Sequence, residues 1–186
     1  MQQFANGAKA YNGPIILAPF HEMNGDWDTW DGPVGNNSPA KIIAAWRQMH
    51  GIFSASSVTN VKFAWDVNNE SVPNTPENQI ENYYPGDQYV DYIGVDGFNF
   101  GNPWQNFSEM FSAPLVKLKK YKKPIYILSM ASAEGPQKAS WITDTLAHIY
   151  ADPDIHGWVW FNKNKEENWL IWSNTAALQA FQAGIK

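Results

Sequence analysis

Cysteine is missing from this chain, which excludes disulfides and thiolate metal sites and leaves the compartment open. Charge is scarce as well: Asp, Glu, Lys and Arg make up 17% of 186 residues, with a net charge of −5. Proteins that bind nucleic acid need a basic face. The one dense basic run here (Lys117, Lys119, Lys120, Lys122 and Lys123) closes a predicted helix, where cations complement the helix dipole. It reads as a solvated helix end, and no nucleic-acid partner is expected. No apolar run approaches the ~20 residues of a membrane span, so no membrane partner is expected either. Nothing ahead of Phe4 reads as a signal peptide. Glycine-rich phosphate loops are absent, which argues against a nucleotide-binding fold. Of the 4 histidines, none lies at ligand spacing from His21. Asp26, Asp28 and Asp31 only loosely echo a calcium loop, with Trp27 and Trp30 intervening. Neither a metal nor a cofactor is expected.

Aromatic residues are abundant: 10 Trp, 8 Tyr and 10 Phe. A core has limited use for so many indoles, because each buried one needs a partner for its N–H. Flat aromatic faces suit the C–H faces of sugar rings, so the excess points toward a saccharide cleft.

Five short apolar runs read as strands: Ile15 to His21, Val61 to Asn68, Tyr92 to Asn99, Ile125 to Ser132 and Gly157 to Asn162. Helical patterns lie between them, at Pro39 to Ser54, Phe107 to Tyr121 and Gln137 to Tyr150. Phe4 to Tyr11 and Thr175 to Ala183 read as helices at the two ends. Such alternation, with nearly continuous apolar strands, predicts a parallel sheet covered by helices. Polar residues cluster at all five strand ends, which favours a β/α barrel over a doubly wound sheet with one switch point. The predicted fold class is α/β: a single domain over residues 1–186, forming a partial (β/α)8 TIM barrel of five parallel strands with surrounding helices. A complete barrel takes eight strands and ~250 residues. The sequence therefore predicts a partner that completes the sheet, either a homo-oligomer or a complementing N-terminal barrel fragment.

His21-Glu22-Met23-Asn24-Gly25-Asp26-Trp27 directly follows the first predicted strand. A glutamate there, flanked by His and Trp, can be partly desolvated; its pKa then rises and it can donate a proton to a leaving oxygen. With a second carboxylate, that is glycosidase chemistry.

At these residues the chain resembles glycoside hydrolase family 26, which contains β-mannanases and mixed-linkage β-glucanases. His21 to Trp27 is similar to the family's acid/base motif, and Phe63 to Asn68 (FAWDVN) to its fifth strand. Tyr83 to Asn99 (YYPGDQYVDYIGVDGFN) matches the sixth-strand region, and Lys123 to Glu134 (KPIYILSMASAE) falls where the seventh strand and nucleophile belong. Gly157 to Trp169 (GWVWFNKNKEENW) looks like the eighth strand and its loop. The resemblance implies Glu22 as acid/base, a β-linked polysaccharide or oligosaccharide as ligand, and a secreted ancestor.

Departures from the family pattern are concentrated at polar site positions. Ser129 stands in the register of the nucleophilic glutamate, and Phe98 stands where a tyrosine supports it. Ala18 replaces a common Arg, and Leu170 and Trp172 replace a typical Arg and Asp. A serine without a nearby base cannot form the glycosyl-enzyme of a retaining mechanism. Three readings fit: a catalytically impaired relative that still binds sugar, an engineered variant, or a non-catalytic barrel-fragment scaffold. The expected substrate-binding residues are His21, Asn24, Trp27, Trp30, Phe98, Trp104 and Trp160. Asn68, Asn99 and Asn162 are expected to add neutral hydrogen bonds for sugar hydroxyls.

Overall fold

The computed structural model describes residues 1–185. The chain forms two compact units, Met1–Gly94 and Val95–Lys186, and is part of a (β/α)8 barrel. Five parallel strands follow one another in the sheet order β1-β2-β3-β4-β5: β1 (Ile15–Leu17), β2 (Val61–Asn68), β3 (Tyr92–Asn99), β4 (Ile125–Ser132) and β5 (Ile155–Trp160). The unit boundary falls within β3.

In the first unit, α1 (Gln2–Tyr11) buries Ala5 and Ala8 and ends at Asn12, which adopts a left-handed φ of 56°. Asn60 fixes that helix end to the turn before β1, its amide donating to Ala8 O at 2.8 Å and Gly13 O at 2.7 Å. β1 then pairs with β2 from Ile15↔Val61 to Leu17↔Phe63. The sequence predicts that β1 runs on to His21, but it stops at Leu17. Pro19 offers no backbone donor, and Phe20 and Glu22 both sit at φ 54°, which no strand accommodates. α2 (Pro39–Ala55) starts where Ser38 accepts a hydrogen bond from Lys41 N, with Pro39 at the first helical position, as capping rules require. Its inner face sets Trp46 and Phe53 edge-on against Phe63 of β2. Each such side chain contributes about 1.5–3 kcal/mol of burial. The Trp46 indole is satisfied by Tyr89 O at 3.1 Å.

In the second unit, α3 (Phe107–Leu118) opens with a capping box between Asn106 and Glu109. It tightens into a 3-10 turn at Lys119–Tyr121 that ends at Lys122, φ 54°. Lys119 pairs with Asp152 at 2.7 Å and Asp154 at 3.2 Å, so part of the basic run serves local structure. α4 (Lys138–Ala151) packs against α5 (Thr175–Gly184), whose N-cap is Asn174. β5 begins two residues before its predicted start and ends at Trp160 rather than Asn162. Its ladder with β4 is irregular: Ile127↔Trp158 is followed by Met130↔Trp160. Leu128 and Ser129 thus face the single residue Val159, the two-against-one count of a β-bulge.

Candidate functional site

The loop after β1 builds the first cluster. Glu22 holds its left-handed backbone through Glu22 N donating to Asp66 O at 3.1 Å and Gly25 N donating to Glu22 O at 2.7 Å. A non-glycine residue with positive φ costs about 1–3 kcal/mol and persists where the surroundings over-determine it. Trp27, 48% exposed, donates its indole N–H to Glu22 Oε2 at 2.8 Å. Its ring folds back over Gly25, where a Cβ would lie 2.5 Å from Trp27 Cζ2, so only glycine fits beneath the indole. Trp30 donates to His21 O at 2.9 Å, and its ring meets the exposed imidazole edge-on at 5.0 Å. His21 Nε2 lies 3.6 Å from Asp28. His21, Glu22, Trp27 and Trp30 therefore form one group.

Beneath this group lies a buried polar layer. Asn24 is fully buried; its amide donates to Asn68 O at 2.9 Å and Glu70 O at 3.1 Å, and its oxygen accepts from Asn68 N at 2.8 Å. Tyr83 donates to Asn78 Oδ1 at 2.5 Å, and Asn78 donates back to Asn24 O at 2.9 Å. Asn24 is expected from sequence to meet sugar hydroxyls; the structure instead uses it to weld two loops. Asn99 is likewise buried and accepts from Gly101 N and Gln105 N, whereas half-buried Asn68 donates to Glu70 O and exposed Asn162 accepts from Ile171 N. Irregular backbone after a strand leaves N–H and C=O groups unpaired, and asparagine satisfies both kinds.

Asp31 closes the loop. Its Oδ2 accepts from Trp27 N at 3.0 Å and Asp28 N at 2.8 Å. Burial raises its pKa to about 6 against those two backbone bonds, with help from the charges of Asp28 and Asp26. Burial and the Asp31 charge push Tyr83 up to about 12.

The second unit carries the other residues expected at the site, Ser129, Phe98, Trp104 and Trp160. Ser129 lies half-buried in the β4 bulge, a device that often re-aims side chains next to active sites. Phe98 sits in an aromatic cluster with Trp169 at 5.3 Å, Phe161 at 5.5 Å and Phe100 at 6.3 Å. Trp104 is half-buried and lies against Gly101 and Gly135. Trp160, expected to line the cleft, is only 8% exposed. It packs between Trp141 of α4 and Phe181 of α5 and donates its N–H to Trp169 O at 2.8 Å. That packing makes it a strut between strand and helices.

Residues 2–182 match the profile of glycosyl hydrolase family 26. The chain belongs to this family. It is 39% identical to Endoglucanase H of Acetivibrio thermocellus, across 98% of this chain and 21% of that protein. It is 31% identical to Mannan endo-1,4-beta-mannosidase A and B of Caldalkalibacillus mannanilyticus, over 46% of this chain and 16% of that protein. In fold it is similar to a family 26 β-mannanase from Bacteroides ovatus, with a TM-score of 0.71, 23% identity and coverage of 92% of this chain and 50% of that one. The chain thus spans a fifth of its curated endoglucanase relative and half of the solved mannanase.

Two features of this family 26 chain escape a reading of the sequence. Lys138 is completely buried, donating to Asn168 O and Leu170 O at 2.9 Å and to Ser173 Oγ at 3.0 Å. Burial lowers its pKa against the pull of Glu134, 3.5 Å away. Burial acts upward on Glu134, but hydrogen bonds from Ser173 and Asn174 together with Lys138 hold it below the usual carboxylate range. A signal exists: Lys138 precedes Trp141, Ile142 and Thr145 at helical spacing, on the buried stripe of α4. Asp31, the second, gives no such signal, since its burial follows from a loop path that periodicity does not encode. Among the described residues, no group of three or more His, Asp or Glu side chains is placed to hold a metal ion, and no helix is long and apolar enough to cross a membrane.

Proposed function

We propose that the chain carries part of the saccharide site of a family 26 retaining endo-β-glycosidase for β-1,4-linked mannan or mixed-linkage β-glucan. Glu22 is its acid/base, and Ser129 occupies the place of the nucleophile. The observation that carries this reading is the Trp27 hydrogen bond to Glu22 Oε2 at 2.8 Å. It fixes Oε2 as an acceptor from the indole and so sets the orientation of the carboxyl group. An acid of this kind protonates the glycosidic oxygen as the bond breaks, then as carboxylate draws a proton from the incoming water. His21, Trp27 and Trp30 offer the polar and aromatic surfaces that sugars take.

The first displacement also needs a carboxylate that can attack the anomeric carbon and later leave. A serine hydroxyl does neither well, because it is a weak nucleophile without a base and the alkyl glycoside it would form is an acetal as stable as the substrate's own linkage. The chain therefore binds sugar and turns it over negligibly, which joins the impaired-enzyme reading to the non-catalytic binding reading. Isothermal titration with mannohexaose and a mixed-linkage glucan tetrasaccharide, alongside a reducing-sugar assay, tests both parts. Binding without release of reducing ends is expected. Release at rates typical of the family would remove Ser129 from the nucleophile position; failure to bind either sugar would defeat the site assignment. By itself the chain is expected to associate, because edge strands invite pairing. A solution mass of 21.0 kDa would refute that.

A further inference from the structure

We propose that Asp31 is a positioning residue, whose carboxylate holds the Trp27 indole on Glu22 by gripping the loop backbone. The inference rests on the reading of Glu22 as the acid/base. Asp31 is fully buried, and a single oxygen, Oδ2, accepts both Trp27 N at 3.0 Å and Asp28 N at 2.8 Å. These bonds fix the Trp27 backbone, Gly25 leaves room for the ring beneath it, and the indole N–H then reaches Glu22 Oε2. Among the described residues, Asp31 Oδ1 is buried and meets no hydrogen-bond donor. A carboxylate with one oxygen doubly engaged and the other bare is poorly solvated, so Oδ1 is the atom that takes a proton.

The groups facing Asp31 favour the same event. Asp26 and Asp28 from its own loop repel its charge, Tyr83 from the Ile80–Tyr83 turn is neutral, and His21 lies on Asp28 rather than on Asp31. Hydrogen bonds to an ionised acceptor are roughly twice as strong as neutral ones. Protonating Oδ1 therefore loosens both loop bonds, and with them the contact between Trp27 and the acid/base. Asp31 tunes how firmly Glu22 is held as pH falls.

The test uses the full chain without sugar. The Trp27 indole 15N–1H resonance and the Asp31 carboxyl 13C resonance are followed between about pH 3 and 8, which spans ordinary and raised Asp values. Both should move with a shared midpoint of about 6, and Asp31→Asn should remove that step from the indole while sparing any step of a different midpoint. An indole step that persists in Asp31→Asn, or an Asp31 titration that leaves the indole unmoved, overturns the proposal. If Asp31→Asn fails to fold, the paired titrations of the unmodified chain decide alone. Because neither resonance depends on ligand or turnover, a failure of the glycosidase reading would show separately, in the sugar titrations.

Discussion

Lys138→Met separates the charge of a buried lysine from its volume. The ammonium donates to Asn168 O, Leu170 O and Ser173 Oγ, and Glu134 lies 3.5 Å away. Methionine fills much of the same space but leaves two loop carbonyls without their donor, at about 1–3 kcal/mol each. Relief from burying the ammonium offsets part of that loss. The net expectation is a destabilisation of about 2–4 kcal/mol at pH 7, or a fall of about 5–15 °C in Tm for a chain of this size.

The pH dependence gives a second handle. Burial holds the folded pKa of Lys138 below 10.5, so between that folded value and 10.5 the unfolded chain binds more protons than the folded one. Stability then rises with pH across that window. The Lys138→Met variant lacks this contribution, so the gap between the two proteins should widen toward pH 10.5. Urea unfolding followed by tryptophan fluorescence, at neutral and alkaline pH, measures both quantities. A variant within about 1 kcal/mol of the unmodified chain, or a gap that narrows as pH rises, would refute the reasoning.

Two further perturbations probe the tryptophans. Gly25→Ala places a methyl group 2.5 Å from Trp27 Cζ2, so the ring must leave Glu22; the Trp27 indole resonance should lose its hydrogen-bonded shift, and an unchanged resonance would contradict the packing. Trp160→Ala, at a residue 8% exposed, should cost about 3–5 kcal/mol in chemical denaturation. Trp27→Ala, at a residue 48% exposed, should cost about 1 kcal/mol or less while weakening sugar affinity in calorimetry. The reverse ranking would return Trp160 to the sugar and Trp27 to the core.

Secondary structure is legible in the sequence wherever periodicity or capping chemistry determines it. Ser38-Pro39 marks the start of α2, and the largely apolar segment Val61–Asn68 of β2 matches its prediction at both ends. Differences arise where a strand end passes into irregular backbone. β1 ends four residues before its predicted end because Pro19, Phe20 and Glu22 redirect a chain that still looks apolar. Within the candidate site, the group of His21, Glu22, Trp27 and Trp30 is legible because its members are close in sequence. The roles of the asparagines are not. Residue type says that Asn24 can make several hydrogen bonds, but only the path of the chain decides whether water, sugar or backbone receives them. Trp160 is a related case: alternation puts Trp158 and Trp160 on one face of β5, but only packing against Phe181 shows which face the helices cover.

The bulge at Leu128 and Ser129 bears on how this family can change. In a regular ladder, a new side chain must suit both its cross-strand neighbour and the alternation of faces, so chemistry and register are exchanged together. Two residues opposite Val159 relax that bond. The flanking pairs, Ile127 with Trp158 and Met130 with Trp160, keep the strand in place whatever side chain the intervening position bears. Position 129 can thus accept a different side chain with little consequence for folding, so what it carries and the architecture around it stay under separate selection.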